Sequence, residues 1–361
     1  MQLTSLSVQH VRRIAAAQIS PADQTNLISG PNGSGKTSLL ESIHYLATAR
    51  SFRASRVSEV ISHGQTALIV SGELKDSAGV NSRVGVEKTS NTTRLRINGE
   101  AVTVASTIAR LVPVLTFNTE SYSLLNGGPA NRRALLDRLL FHVEPEYLRT
   151  LKTYYRGLKQ RNALLRANTT HKQVVYWDHQ LEAVANRLDR WRGACISTLN
   201  EYICASALNE RIGSLELEYR RGWVAEESFS NLLAANSVKD RDAGTTTVGP
   251  HRAELRIKVG GKLAKTVVSR GQGKLIIATI VSAQARFIRE YALEPPILLV
   301  DDLASELDRS ACQAAVDALI STKAQIFFTA IESSDLPASL CESAKVFHVE
   351  HGQVHPTVMD Q

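Results

Sequence analysis

The chain has 361 residues, enough for a large buried core in two lobes, and 43% of them are hydrophobic, an ordinary share for a globular protein. No apolar run approaches the roughly 18 residues that span a bilayer, and the opening Met1-Gln2-Leu3-Thr4-Ser5-Leu6 carries neither a charged leader nor an apolar signal core; a cytoplasmic protein without a membrane partner is expected. The formal net charge of +7 is concentrated: residues 131–192 hold 13 Lys and Arg against 6 Asp and Glu, so the rest balances to zero and one segment is suited to a polyanion.

In chain order, Leu3–Val8 and a strand ending in Asn26-Leu27-Ile28-Ser29 lead into a glycine-rich loop. A helix follows with Leu39, Leu40, Ile43 and Leu46 at helical spacing. From Thr66 to Val104 the pattern alternates: Leu68–Leu74, Val84–Val86 and Leu95–Ile97 read as antiparallel strands, with Asn98-Gly99 as a hairpin turn. A strand at Val112–Phe117 precedes a helical, Arg-rich stretch from Ala130 to Ser206 that is nearly free of glycine. A mixed segment then holds a strand at Leu215–Tyr219. Next come a strand at Lys265–Val268, a long helix, a strand at Ile297–Val300, a helix after Asp308, a strand at Gln325–Thr329 and a hairpin around His351-Gly352. The four cysteines form no C-x-x-C pair and the ten histidines show no ligand spacing, so neither a disulfide framework nor a protein-held transition metal is suggested.

Gly30-Pro31-Asn32-Gly33-Ser34-Gly35-Lys36-Thr37 is a full G-x-x-x-x-G-K-T phosphate-binding loop, and strand, loop, helix is the order such a site needs. Its glycines let successive N–H groups turn inward at a helix N-terminus, where a β-phosphate would sit; Ser38 continues the first turn. Lys36 is expected to reach the β- and γ-phosphates of ATP, and the Thr37 hydroxyl to ligate Mg²⁺. Asp301, at the end of an apolar strand, is the second Mg²⁺ partner, and Asp302 is the candidate water-orienting carboxylate. Many ATPases place Glu there; Asp is one methylene shorter, which predicts slow hydrolysis. Ser269, with the amides of Gly271 and Gln272, makes a second anion-binding helix start. One chain's triphosphate cannot fill both starts without a large fold-back, which predicts an ATP-dependent homodimer with Ser305-Glu306-Leu307-Asp308 at the contact.

The assembled motifs resemble the RecF family of recombinational DNA-repair ATPases, ABC-type heads related to the SMC proteins. The resemblance runs nearly full length. It is carried by the phosphate loop, Ala49-Arg50-Ser51-Phe52-Arg53, Leu124-Leu125-Asn126-Gly127-Gly128-Pro129 with Arg132-Arg133 and Leu136-Asp137, Lys159-Gln160-Arg161-Asn162, Gly249-Pro250-His251-Arg252, Ser269-Arg270-Gly271-Gln272 and Asp301-Asp302. It implies an α/β fold: an ABC-type P-loop ATPase head with an antiparallel β-layer, plus an inserted, mainly helical arm lobe. The expected boundaries are 1–128 and 245–361 for the discontinuous head and 129–244 for the basic arm. It also implies a weak, DNA-stimulated ATPase that binds single-stranded DNA and gapped or linear duplex. Such a protein works with recombination-mediator proteins in recombinase loading, replication restart and the SOS response. Three departures stand out: Arg12-Arg13 replaces the family's Phe-Arg-Asn, with a nucleotide contact carried onto Arg12; Glu254 replaces Asp; and no His follows the Gln325–Thr329 strand, again favouring slow turnover. The region Phe117-Asn118-Thr119-Glu120 is the positional candidate for a Q-loop.

Within the basic segment, Arg149, Lys152, Arg156, Lys159 and Arg166 recur at helical steps beside an apolar stripe of Leu148, Leu151, Tyr155, Leu158 and Leu165. Leu181, Val184, Leu188 and Trp191 supply a partner helix across a turn at Thr169-Thr170-His171-Lys172. Arg149, Lys152, Arg156, Lys159 and Arg161 are the expected DNA contacts, made to phosphates rather than bases. Two other readings stay open: a scaffold that binds ATP without needing turnover, and a transporter ATPase subunit, which the Asp-Asp end, the missing His and the basic insertion disfavour.

Overall fold

Apolar residues of one helix, Lys36–Thr48, join two β-layers in a single core of the computed structural model, which describes residues 1–167, 171–224 and 226–356. The first layer is an antiparallel sheet of β1 (Gln2–Val11), β2 (Ile14–Ile19), β4 (Ala67–Lys75), β5 (Asn81–Thr89), β6 (Thr93–Ile97) and β7 (Glu100–Val102), in the order β2-β1-β4-β5-β6-β7. Its strands alternate in burial, as in β4, because one face meets the core and the other water. Asn98 and Gly99, at φ 53° and 87°, close β6 onto β7 as the Asn-Gly signal predicts.

The second layer comprises β3 (Thr25–Ser29), β8 (Val114–Phe117), β12 (Ile297–Val300), β13 (Gln325–Ala330), β14 (Lys345–Glu350) and β15 (Gln353–Pro356), ordered β15-β14-β3-β13-β12-β8. All pairings but β14–β15 are parallel. β3, β12 and β13 are buried at every position, hence their unbroken apolar character, and their carboxyl ends collect on one edge. Gln325 ties the two layers: its amide oxygen accepts from the Leu3 N–H at 2.7 Å and its amide nitrogen donates to the Leu3 carbonyl at 2.9 Å.

The chain divides into two compact units: Met1–Tyr122 with Ser206–Ile212 and Val268–Gln361, and Ser123–Ala205 with Gly213–Val267. Both units are discontinuous; the second begins before residue 129 and ends after residue 244, taking in Gly249-Pro250-His251-Arg252. The short helix Ala207–Ile212 groups with the first unit, where Arg211 donates to Ser310 at 3.0 Å. The second unit holds the helices Pro129–Val143, Tyr147–Arg166 and His171–Cys204 and a small antiparallel sheet, β11 (Lys262–Leu263), β10 (Glu254–Val259) and β9 (Leu215–Arg220). The expected strand at Lys265–Val268 is instead a helical turn, Ala264–Val267. Only Ala264 of it is buried, so the apolar residues there gain no sheet partner. Thr169 and Thr170 of the expected turn lie outside the described residues; His171 and Lys172 open the long helix.

Candidate nucleotide site and basic helix

The phosphate loop leaves β3 and caps the helix Lys36–Thr48 through Gly35, at φ 125°. Gly30, at φ 148°, passes so close to the terminal hairpin that an added Cβ would lie 2.1 Å from the Val349 carbonyl; only glycine fits. The hairpin also braces the loop's centre, since the Gly352 N–H donates to the Ser34 carbonyl at 2.8 Å. Pro31, Asn32 and Gly33 are exposed, while Ser34 and Ser38 are buried. The Lys36 ammonium donates to the carbonyls of Gly30 at 2.7 Å and Pro31 at 3.0 Å, and partial burial holds its pKa below the usual lysine range. The buried Ser34 hydroxyl has no hydrogen-bond partner among the described residues, an orphan that a phosphate oxygen would satisfy.

The carboxyl ends of β12 and β13 bring the acidic residues to this loop. Thr37 Oγ1 donates to Asp301 and lies 3.0 Å from both carboxylate oxygens. Thr329 Oγ1 donates to Asp301 Oδ1 at 2.8 Å and accepts from the Asp302 N–H at 2.9 Å. Burial raises the Asp301 pKa, opposed by these two hydroxyls and by the charge of Arg53. The hydroxyl and carboxylate form a hard oxygen set of the kind Mg²⁺ prefers alongside phosphate, and no cluster of three or more His, Cys, Asp or Glu suited to a metal occurs among the described residues. Asp302 is exposed and left-handed at φ 54°. Thr329, within the strand after which no His follows, thus braces both carboxylate positions; sequence reasoning assigned it no role.

Arg12, expected as a nucleotide contact, is engaged elsewhere: its guanidinium forms a two-pronged pair with the buried Glu41 and donates to the Glu59 carbonyl at 3.1 Å. Its neighbour Arg13 reaches the loop, donating to the Gly33 carbonyl at 2.6 Å. Asn118, beside β12, is buried with a side-chain amide nitrogen that has no partner among the described residues, while its oxygen accepts from Ser121. Ser269 and Gln272 form a reciprocal capping box at the start of the helix Arg270–Tyr291, with Ser269, Arg270 and Gln272 exposed.

On the helix Tyr147–Arg166, Arg149, Lys152, Arg156 and Lys159 are exposed as a row of cations, and Arg149 has only a loose 3.8 Å pairing with Glu146. Arg161 must be removed from the expected DNA contacts. It is fully buried: its guanidinium donates to Asp178 at 2.6 Å, Asp240 at 2.7 Å, Thr246 at 2.9 Å and the Leu233 carbonyl at 3.2 Å. Removing one partner of such a buried network typically costs about 3–5 kcal/mol. The packing stripe is also shifted from the expected one. Tyr147, Thr150, Tyr154, Gly157, Leu158, Arg161 and Leu165 are buried, whereas Tyr155 is 44% exposed. The Tyr154 hydroxyl meets His251 Nδ1 at 2.6 Å, Asn162 accepts from Thr246, and Arg192 joins Asp137, Tyr147 and the Pro250 carbonyl. Asp137, Arg161, Asn162 and His251 of these motifs therefore belong to the polar network of this unit, whereas Lys159, Gln160 and Arg252 stay exposed. Glu254, the Asp-to-Glu departure, pairs at 2.8 Å with Arg132.

Comparison with known proteins places these observations in a family. The model of the RecF/RecN/SMC N-terminal domain matches residues 2–355. The DNA replication and repair protein RecF of Thioalkalivibrio sulfidiphilus (strain HL-EbGR7) is 40% identical over 355 residues, covering 98% of each chain. The protein of that name from Shewanella sp. (strain MR-7) is 37% identical over 358 residues, covering 98% of this chain and 99% of its own. Among solved structures, the recombination mediator protein RecF with ATP, in the RecFOR pathway, aligns at a TM-score of 0.86 and 23% identity, over 99% of this chain and 98% of that one. An Smc head bound to the C-winged helix domain of ScpA aligns at 0.60 and 16% identity, over 100% of this chain and 98% of that one. These structures share the mixed α/β head architecture, and with the sequence match over nearly the whole length they show that this chain belongs to the RecF family of SMC-like ABC-type ATPases.

Proposed function

We propose that the protein is an ATP-dependent DNA-binding protein of recombinational repair and replication restart, in which bound ATP joins two copies and the pair holds DNA. The observation that carries this reading is the meeting of Thr37 with Asp301, braced by Thr329, beside a phosphate loop whose Ser34 hydroxyl lacks a partner among the described residues. Gly30, Pro31, Asn32, Gly33, Ser34, Gly35, Lys36, Thr37 and Ser38 would cradle the triphosphate; Thr37 and Asp301 would hold Mg²⁺, whose charge offsets that of the phosphates. Asp302 would orient the attacking water, and its short side chain supports slow hydrolysis that times release. Ser269 and Gln272, exposed at a helix start, with the half-buried Gly271 between them, would receive the partner's nucleotide. The cationic row from Arg149 to Lys159 would contact single-stranded DNA or gapped duplex. Recombination-mediator partners, recombinase loading and SOS induction are inferred from family membership, and a cytoplasmic setting accords with the absence of a membrane-spanning helix among the described residues.

The test is sedimentation of the purified chain with and without ATP and a gapped duplex, repeated with Ser269→Arg. The expected outcome is an ATP-dependent dimer that retains the duplex, lost in Ser269→Arg; a wild-type monomer at saturating ATP would remove the proposal. A scaffold that binds ATP without turnover keeps one supporting observation, the exposed Asp302 at a left-handed backbone position. Such a scaffold would tolerate Lys36→Arg in repair assays if binding survived; a switch would not.

A further inference from the structure

One buried cation in the head has no carboxylate partner among the described residues. Lys274, in the second turn of the helix Arg270–Tyr291, is 6% exposed. Its ammonium donates to backbone carbonyls of Asp302 at 2.8 Å and Ser305 at 2.5 Å, and to the Ser305 hydroxyl, with the Leu303 carbonyl at 3.4 Å. Three protons are thus spent on one short loop, and burial lowers the lysine's pKa. Burying an ammonium is costly unless every proton finds an acceptor, so this arrangement holds the loop to the helix tightly.

The loop it holds begins at Asp302 and is bent at two left-handed, non-glycine residues, Asp302 at φ 54° and Glu306 at φ 63°. Such a residue is strained and persists only where its surroundings impose it. A second clamp lies at the exposed end of the same helix. An added Cβ on Gly271 would stand 2.9 Å from the Glu306 carbonyl, Arg270 pairs with Glu306 at 3.4 Å, and the Tyr122 hydroxyl donates to the Arg270 carbonyl at 3.0 Å. The Ser269 turn and the loop carrying Asp302 therefore form one body, fastened at the surface by Gly271 and Arg270 and inside by Lys274.

We propose that Lys274 is a positioning residue that couples the Ser269 turn to Asp302. When a second subunit's triphosphate docks at Ser269, Gly271 and Gln272, the shift of that helix end is carried through the lysine to the carboxylate of the subunit's own nucleotide site. Each subunit then reports to its own site that the partner's nucleotide is in place, and hydrolysis in the pair becomes cooperative. This rests on the two-subunit reading above.

The test uses the full-length chain with Lys274→Met and Lys274→Arg. Three quantities are measured: affinity for a fluorescent ATP analogue, ATP-dependent dimerisation by sedimentation, and hydrolysis as a function of ATP concentration. For Lys274→Met the expected result is nucleotide affinity within about twofold of wild type and a preserved dimer. Its kcat should fall about tenfold or more, equivalent to about 1.4 kcal/mol, and its Hill coefficient should drop towards one; Lys274→Arg should recover part of both. Should Lys274→Met fail a thermal melt, Lys274→Gln, which keeps two donors, carries the same expectation. Unchanged kcat and Hill coefficient, or a loss of nucleotide affinity matching the loss of kcat, would overturn the assignment. A wild-type protein that stays monomeric with ATP would overturn the two-subunit reading itself, which separates the two failures.

Discussion

Single side chains settle most of the chemistry here. Asp301 is kept beside Thr37 by Thr329 Oγ1, a contact made across two parallel strands and separated by 28 residues in the chain. His251 shows the same logic in the second unit. Its ring lies between the Tyr154 hydroxyl, at 2.6 Å, and the Thr246 carbonyl, at 3.0 Å, and burial pushes its pKa down from 6.5 to about 4. The unfolded chain therefore takes up a proton at this residue between about pH 6.5 and pH 4 that the folded chain refuses. Stability from this group is present above pH 6.5 and is lost as pH falls towards 4, at about 1.4 kcal/mol per pH unit at most. Thermal unfolding from pH 7.5 to 4.5 should show this fall in the wild type and a shallower one in His251→Gln. Identical pH profiles would mean that the histidine already titrates normally in the folded chain.

A helix reads out at the element scale through its phase. Along Tyr147–Arg166 the four cations Arg149, Lys152, Arg156 and Lys159 are exposed, as their three- and four-residue steps predict. Arg161 breaks that rhythm: it falls two residues past Lys159 and in phase with Tyr147, Tyr154 and Leu165, the buried stripe. Phase alone places Arg161 with the buried residues, against what its charge suggests. Tyr155 is the converse case. It stands among the cations, one residue before Arg156, and its ring leans edge-on against the buried Tyr154, with centroids 5.7 Å apart. An aromatic face so braced suits an unstacked base. Charge reversal at Arg149, Lys152 and Arg156 is expected to weaken binding to duplex and single strands alike at unchanged ATP affinity. Tyr155→Ala should cost about 1–3 kcal/mol on single strands with little effect on duplex. Fluorescence anisotropy with both substrates checks this, and unchanged affinity in the charge variants would take the row out of the DNA site.

For the whole molecule, the arrangement to explain is a head assembled from three stretches of chain with a second unit folded from what lies between them. The strands that meet at the phosphate loop come from both sides of that insertion, so the site exists only once the head is complete. If ATP joins two copies, two cationic rows act on one DNA. Each phosphate neutralised on duplex steepens the fall of log affinity with log salt by about 0.9, so four cations per copy set an upper limit of about 7 on that steepness for a pair. The slope measured with ATP should be steeper than that measured without it; equal slopes would show that nucleotide brings no second row to the DNA.

By itself the sequence determined the nucleotide loop, the paired aspartates, the alternating antiparallel layer, the Asn98-Gly99 and His351-Gly352 turns and the basic helix face. All are local: a few neighbouring residues state the backbone conformation or the period, and the physics needs nothing from afar. Tertiary structure alone decided that Thr329 braces Asp301, that Arg13 rather than Arg12 reaches the phosphate loop, that Lys274 fastens the loop after Asp302, and that Arg161 is interior. Each of these is a polar group whose role is set by the partner that satisfies it once water is excluded. That partner lies, for Thr329, Arg13, Lys274 and Arg161 alike, between about 17 and 85 residues away in the chain. No periodicity in a one-dimensional string carries such a distance.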